Sequence, residues 1–236
     1  MKLPPKTLER KLLASGYDQV IGIDEVGMGC LAGPVVVCAV AFGKEFFEKS
    51  HRKLHRVRDS KLLSSRQRDE FAGELLKEKS LRFKIAYCYP KTIDKLNIYQ
   101  AARMAMRRAI EKLVSYRPEA QGNTFLSAVE KKYVHRSLSR FLKTIVLVDG
   151  PHKIHNLNLE QRAIVKGDQQ IFTIACASIL AKVFRDKVMV RYAKKFPGYG
   201  FEKHKGYGTK EHLTYLSALG PCPIHRRSFA PVGKLI

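Results

Sequence analysis

Acidic residues are scarce in this chain, 21 Asp and Glu against 44 Lys and Arg, and four of them close apolar segments. Asp24 and Glu25 follow Val-Ile-Gly-Ile, Asp149 follows Thr-Ile-Val-Leu-Val, and Asp168 ends Val-Lys-Gly-Asp. A carboxylate at the end of a buried strand is costly unless it is hydrogen-bonded, charge-paired or bound to metal. Taken singly, each such acid reads as a turn or cap residue, Asp149 before Gly150-Pro151 above all. Together on one small sheet of a basic protein they read as a ligand site. Clustered carboxylates take hard divalent cations, Mg²⁺ or Mn²⁺, through oxygen. Neighbouring side chains diverge along a regular strand, so Asp24 and Glu25 share a ligand only where the strand ends, and Gly27 and Gly29 supply that freedom.

The glycine run that follows, Gly-Met-Gly-Cys-Leu-Ala-Gly, is not a dinucleotide fingerprint. Its spacing is GxGxxxG, and the window about 20 residues on, where a ribose-binding acid belongs, is basic. A second constellation, Phe201–His212, carries His204, Lys205, Tyr207 and Thr209. Lysine and histidine suit phosphate, and a tyrosine stacks on a base or sugar; the plainer alternative is a basic loop with a core tyrosine. His152 and His155 lack metal-site spacing and read as surface residues. No P-loop, GxSxG or HExxH is present.

Positioning these groups requires strands that deliver the acids and helices that cover them. Val20–Asp24 and the β-branched run Val35–Phe42 read as strands, as do Leu81–Tyr89 and Thr144–Val148. Leu63–Lys79 is expected to be helical, capped by Ser64 or Ser65, and Phe172–Lys195 to be a long helix, apolar first and then basic. Ile98–Val114 is amphipathic, with Ala101, Ala105, Ile110 and Leu113 inward and Arg103, Arg107, Arg108 and Lys112 outward. A last helix is expected over Lys210–Leu219. Strands alternating with helices give an α/β fold, and the adjacent early strands predict hairpins, hence a mixed sheet.

A length of 236 residues suits one substantial core. The longest apolar run, Val35–Phe42, is far short of the ~20 residues of a membrane helix. The N-terminus, MKLPPKTLERKL, has no apolar core of a secretory signal. Five scattered cysteines (Cys30, Cys38, Cys88, Cys176 and Cys222), without a CxxC pair, argue against a disulfide framework or a zinc site, and a cytoplasmic location is expected. The net charge of +23 points to a polyanion, and eight Lys or Arg between Lys49 and Arg68 against Asp59 alone reinforce it. Nucleic acid is the expected partner; no basic amphipathic helix suggests a membrane.

Six blocks in order resemble one family. GIDEVGMGCLAGPVV, RDSKLLSSRQR, IDKLNIYQAARMAMRRAI, VLVDG, VKGDQQIFTIACASILAKVFRD and FEKHKGYGTKEHL with GPCPIHRRSF are similar to the type 2 ribonucleases H, specifically bacterial ribonuclease HII, from about Val20 to about Val232. The resemblance implies a ribonuclease H-like mixed sheet flanked by helices with a small helical C-terminal part. It divides the chain into a basic N-terminal extension (1–17), a catalytic domain (18–196, with an insertion at 117–143) and a C-terminal substrate-binding loop, helix and tail (197–236). It implies cutting of RNA in RNA–DNA hybrids, and 5′ to a single ribonucleotide embedded in duplex DNA.

By motif position Asp24, Glu25, Asp149 and Asp168 become the catalytic metal ligands, for two Mg²⁺ or Mn²⁺ ions. Gly27, Met28 and Gly29 become the segment whose backbone meets the ribose 2′-hydroxyl, Tyr207 the ring on the sugar beside the junction, and Lys61, His204 and Lys205 further substrate contacts. Asp186 falls in a family block with a structural role. The family usually carries Arg where this chain has Met28, so one charged contact is missing, and activity limited to longer hybrids is the alternative. Two carboxylate-held metals account for hydrolysis to a 5′-phosphate and a 3′-hydroxyl. A basic binding protein without catalysis explains the charge but not the strand-end acids; a junction resolvase on the same fold would not need ribose. A monomer is expected.

Overall fold

Val35–Ala41 is apolar throughout and rich in β-branched valine, and it forms a strand, β2, buried at every position. The computed structural model describes residues 4–49, 64–115 and 142–235. With β2 run β1 (Gln19–Val26), β3 (Arg82–Cys88), β4 (Thr144–Asp149) and β5 (Glu160–Ile164), in the sheet order β3-β2-β1-β4-β5. β1, β2 and β3 pair antiparallel, while β4 lies parallel to β1 and β5 parallel to β4. The sheet is therefore mixed, as the adjacent early strands predict. β5 was not foreseen: Glu-Gln-Arg-Ala-Ile is half-exposed on the sheet edge and lacks an apolar pattern.

The pleat of β2 divides the core. Val36, Cys38 and Val40 face α3 (Ser65–Leu76) and the first half of α7 (Phe172–Lys195), while Val35, Val37 and Ala39 face α5 (Ile98–Val114). α5 buries Ala101, Ala105, Ala109, Ile110 and Leu113 along one stripe and starts at Asn97, whose side chain accepts from the Gln100 amide at 3.0 Å. α3 starts two residues later than expected and carries a capping box between Ser64 and Gln67. The remaining helices are α1 (Thr7–Ala14), α2 (Lys44–Glu48), α4 (Pro90–Leu96), α6 (Gly167–Gln170), α8 (Phe201–His204), α9 (Lys210–Leu219) and α10 (Ala230–Gly233).

α7 carries much of the site, and two devices fix it. At Gly22 its backbone crosses β1 so closely that a Cβ would stand 2.4 Å from the Thr173 carbonyl carbon. Its N-terminus has no cap of its own. Instead the fully buried Glu9 of α1 accepts from the Thr173 amide at 2.9 Å and hydroxyl at 3.2 Å, placing a carboxyl group at the positive end of a 24-residue helix, where burial raises its proton affinity and the Thr173 bonds oppose that rise. The second half of α7 runs beyond the sheet, where Met189 joins Ala32, Tyr199, Phe201 and Ile224 in a separate apolar cluster. Among the described residues no helix is long and apolar enough to cross a membrane. The expected insertion lies almost wholly outside the described residues.

Candidate nuclease site

Parallel pairing sets Ile23 opposite Val148, so Asp24 and Asp149 are next in register at the carboxyl ends of adjacent strands. Ligands of open α/β sheets gather at such ends. Asp24 is 5% exposed; its Oδ1 accepts from the Glu25 amide at 2.7 Å. Burial pushes the Asp24 carboxyl well up from its ordinary range, the charges of Glu25 and Asp149 push it further, and a hydrogen bond with Ser178 of α7 opposes them. Asp149 Oδ1 accepts from the Gly167 amide at 2.6 Å and lies 3.4 Å from that of Asp168, at the start of α6.

Asp24, Glu25 and Asp149 line an open cleft of about 460 Å³ together with Gly27, Met28, Gly29, Lys182 and Tyr207. Asp168 is 4% exposed, beside Asp149 but outside the cleft lining. Among the described residues no three His, Cys, Asp or Glu side chains stand close enough together to cage an ion. The carboxylate donors are all hard oxygens without thiolate or imidazole, a set that fits Mg²⁺ or Mn²⁺.

Two buried arginines shape the cleft wall, and the sequence carries no signal that separates them from their exposed neighbours. Arg226, fully buried, donates to the carbonyls of Gly27 at 2.7 Å, Met28 at 2.9 Å and Gly33 at 3.0 Å. Burial brings its pKa down to about 10, so it stays charged at neutral pH. Arg185 of α7 donates to Ala32 and Pro34, both at 3.0 Å, and to Lys205 at 2.9 Å. These charges meet carbonyl oxygens, so the loop 27–34 is held through its backbone. Gly27 is required here: its φ is +94°, and a Cβ would stand 2.4 Å from Arg185 Nε. The Met28 side chain packs against the core beneath α5.

Tyr207 is 39% exposed, with Lys182 Nζ 5.5 Å and the Arg185 guanidinium 5.7 Å from its ring centre. Its carbonyl accepts from His212 Nδ1 at 2.8 Å. That fixes the His212 tautomer: Nε2 must accept, from His225 Nε2 at 3.1 Å, while His225 Nδ1 accepts from the Cys222 amide at 2.9 Å. His204 is likewise buried, its ring between the Tyr199 carbonyl and the Gly206 amide, so it serves the loop's shape and does not reach the cleft. Lys205 lines a neighbouring groove instead, and Lys61 lies outside the described residues. Asp186 pairs with Lys182 at 2.7 Å and Arg68 at 3.9 Å. His152 and His155 are exposed.

A family model described as Ribonuclease HII matches residues 21–232. The chain is 44% identical over 222 residues to Ribonuclease HII of Caldicellulosiruptor bescii, covering 94% of this chain and 91% of that protein. Among solved structures it is similar to ribonuclease H2 from Pyrococcus horikoshii OT3, with a TM-score of 0.62 at 22% identity over 92% of this chain and 96% of that one. It is also similar to Bst-RNase HIII in complex with Mn²⁺, with a TM-score of 0.62 at 18% identity over 98% and 72%. At such identities the two structures speak for the fold.

Proposed function

The chain belongs to the ribonuclease HII family of metal-dependent ribonuclease H endonucleases, and from that premise we propose that it cuts 5′ to single ribonucleotides in duplex DNA as well as within RNA–DNA hybrids. The observation that carries this reading is the meeting of Asp24, Glu25 and Asp149 in one cleft also lined by Gly27–Gly29 and Tyr207. Asp24, Glu25, Asp149 and Asp168 would hold two divalent ions, Mg²⁺ or Mn²⁺, which would supply an activated water and charge neutralisation for the phosphoryl oxygens.

The protein's own groups orient and select. The Gly167 amide fixes the Asp149 carboxylate by its hydrogen bond to Oδ1. The backbone of Gly27–Gly29, held by Arg226, faces the ribose 2′-hydroxyl, the one group that distinguishes RNA from DNA locally. Recognition through the backbone does not depend on an arginine at position 28. The Tyr207 ring, held by His212 through its carbonyl, packs on the sugar beside the junction. Lys182 brings positive charge to the cleft for the phosphodiester. The products are a 5′-phosphate and a 3′-hydroxyl, and the chain acts as a monomer in the cytoplasm.

The test is an end-labelled duplex with one ribonucleotide, beside an all-DNA duplex and a long hybrid, each with Mg²⁺, Mn²⁺ or EDTA. A metal-dependent cut 5′ to the ribonucleotide with all-DNA intact is the expected result. Cleavage of the long hybrid alone would mean that Met28 has cost junction recognition, and binding without cleavage would overturn the assignment.

A further inference from the structure

Beside the cleft lies a groove of about 310 Å³ between the start of α3 and the outer face of α7. Building on the proposed nuclease reading, we propose that this groove is a second binding site, for the phosphodiester backbone of the same nucleic acid beyond the cleft.

Continuity is the first observation. Arg68 lines both depressions, so a strand leaving the cleft past Arg68 enters the groove. One loop also serves both: Tyr207 stands in the cleft and Lys205, two residues earlier, in the groove. Lys205 sits at a φ of +51° with its carbonyl held by Arg185 at 2.9 Å, so its placement is fixed with that of Tyr207.

Charge is the second. Arg68, Lys187, Arg191 and Lys205 line the groove against Asp69 and Asp186. Asp186 is committed to Lys182 and Arg68 from within the fold. Lys187 and Arg191 are exposed one helical turn apart on α7, and neither forms an ion pair among the described residues. Like charges at that spacing repel, and an anion between them removes the repulsion. A phosphodiester chain supplies such anions at regular intervals, and Val190, 39% exposed between them, offers an apolar contact for a sugar.

The test uses the full chain with Lys187 and Arg191 both replaced by Gln, residues outside the cleft on an exposed helix face. Equilibrium binding in EDTA is followed by fluorescence anisotropy across a salt series, with a long ribonucleotide-containing duplex and duplexes trimmed stepwise from either side. Each lost phosphate contact lowers the slope of log K against log salt by about 0.9, so the variant's slope on the long duplex should fall by about 2. Its affinity there should drop about tenfold at moderate salt. On duplexes trimmed from one side the difference from wild type should vanish, with kcat at saturation unchanged. An unaltered slope on the long duplex would overturn the proposal, as would the same loss on every trimmed duplex. Since binding is read without cleavage, failure of the nuclease reading shows separately, as a wild-type protein that cuts no ribonucleotide-containing duplex.

Discussion

Replacing Gly29 by alanine separates the fold's needs from those of the substrate. A Cβ at Gly29 meets no heavy atom of the protein within 4 Å, and Gly29 is absent from the residues with positive φ. For the protein alone the change is harmless, and narrowing the unfolded ensemble adds about 0.4–1 kcal/mol of stability. For a ribose approaching the backbone of 27–29 the same methyl stands in the path. A displacement of about 1 Å in a reacting complex costs roughly 100-fold, or about 2.7 kcal/mol of transition-state stabilisation. Gly29→Ala should therefore lose about 100-fold in kcat/KM on a single-ribonucleotide duplex, while its thermal midpoint stays level or rises. Gly27→Ala should behave in the opposite order, losing stability first, because its Cβ collides with Arg185 and its φ is +94°. Wild-type kcat/KM in a normally folded Gly29→Ala protein would refute the backbone-readout argument. A parallel fall in stability and activity would refute it too, by showing that the loop needed this glycine for itself.

Asp149→Asn should abolish cleavage yet bind duplex normally in a gel-shift assay, and retained turnover would remove it from the catalytic set. Tyr207→Ala should lower kcat/KM on an embedded ribonucleotide more than on a long hybrid; equal losses would contradict the stacking role. Glu9→Ala removes the side-chain cap of α7 and leaves the Thr173 amide buried without its acceptor, a loss of about 2 kcal/mol. That corresponds to a midpoint about 4–8 °C lower by calorimetry, and an unchanged midpoint would show that Glu9 is not the cap. Burial lowers both His212 and His225 to about 4 from the usual 6.5, with the neighbouring histidines adding to it. The folded protein thus holds these protons less tightly than the unfolded chain, so their stabilisation is complete above pH 6.5 and is lost as pH falls towards about 4. The fall in midpoint over that window should be shallower in His212→Asn, and identical curves would contradict the neutral relay.

Much of this arrangement is legible in the sequence, for identifiable reasons. α5 announces itself because burial along one helix face imposes a period on apolar residues, and β2 and the first half of α7 because complete burial makes them continuous apolar runs. Asp24, Glu25 and Asp149 stand out because carboxylates at the ends of apolar runs are rare in a chain of net charge +23. β5 escapes because an edge strand needs no apolar face. Arg185 and Arg226 escape for a different reason: their partners are main-chain carbonyls, which every residue possesses, so no complementary side chain marks the pairing. His204 shows the converse, a residue type suited to phosphate that the fold uses instead to close a turn.

The Arg226 contacts join residues that are 198 and 199 positions apart to Met28 and Gly27. A ribosome therefore releases Asp24, Glu25, Asp149 and the five strands of the described residues well before the side chain that holds the loop 27–34. Because a domain folds as a unit, the loop 27–34 takes its shape only after residue 226 has been made. A chain lacking residue 226 leaves the carbonyls of Gly27, Met28 and Gly33 without the guanidinium that joins them.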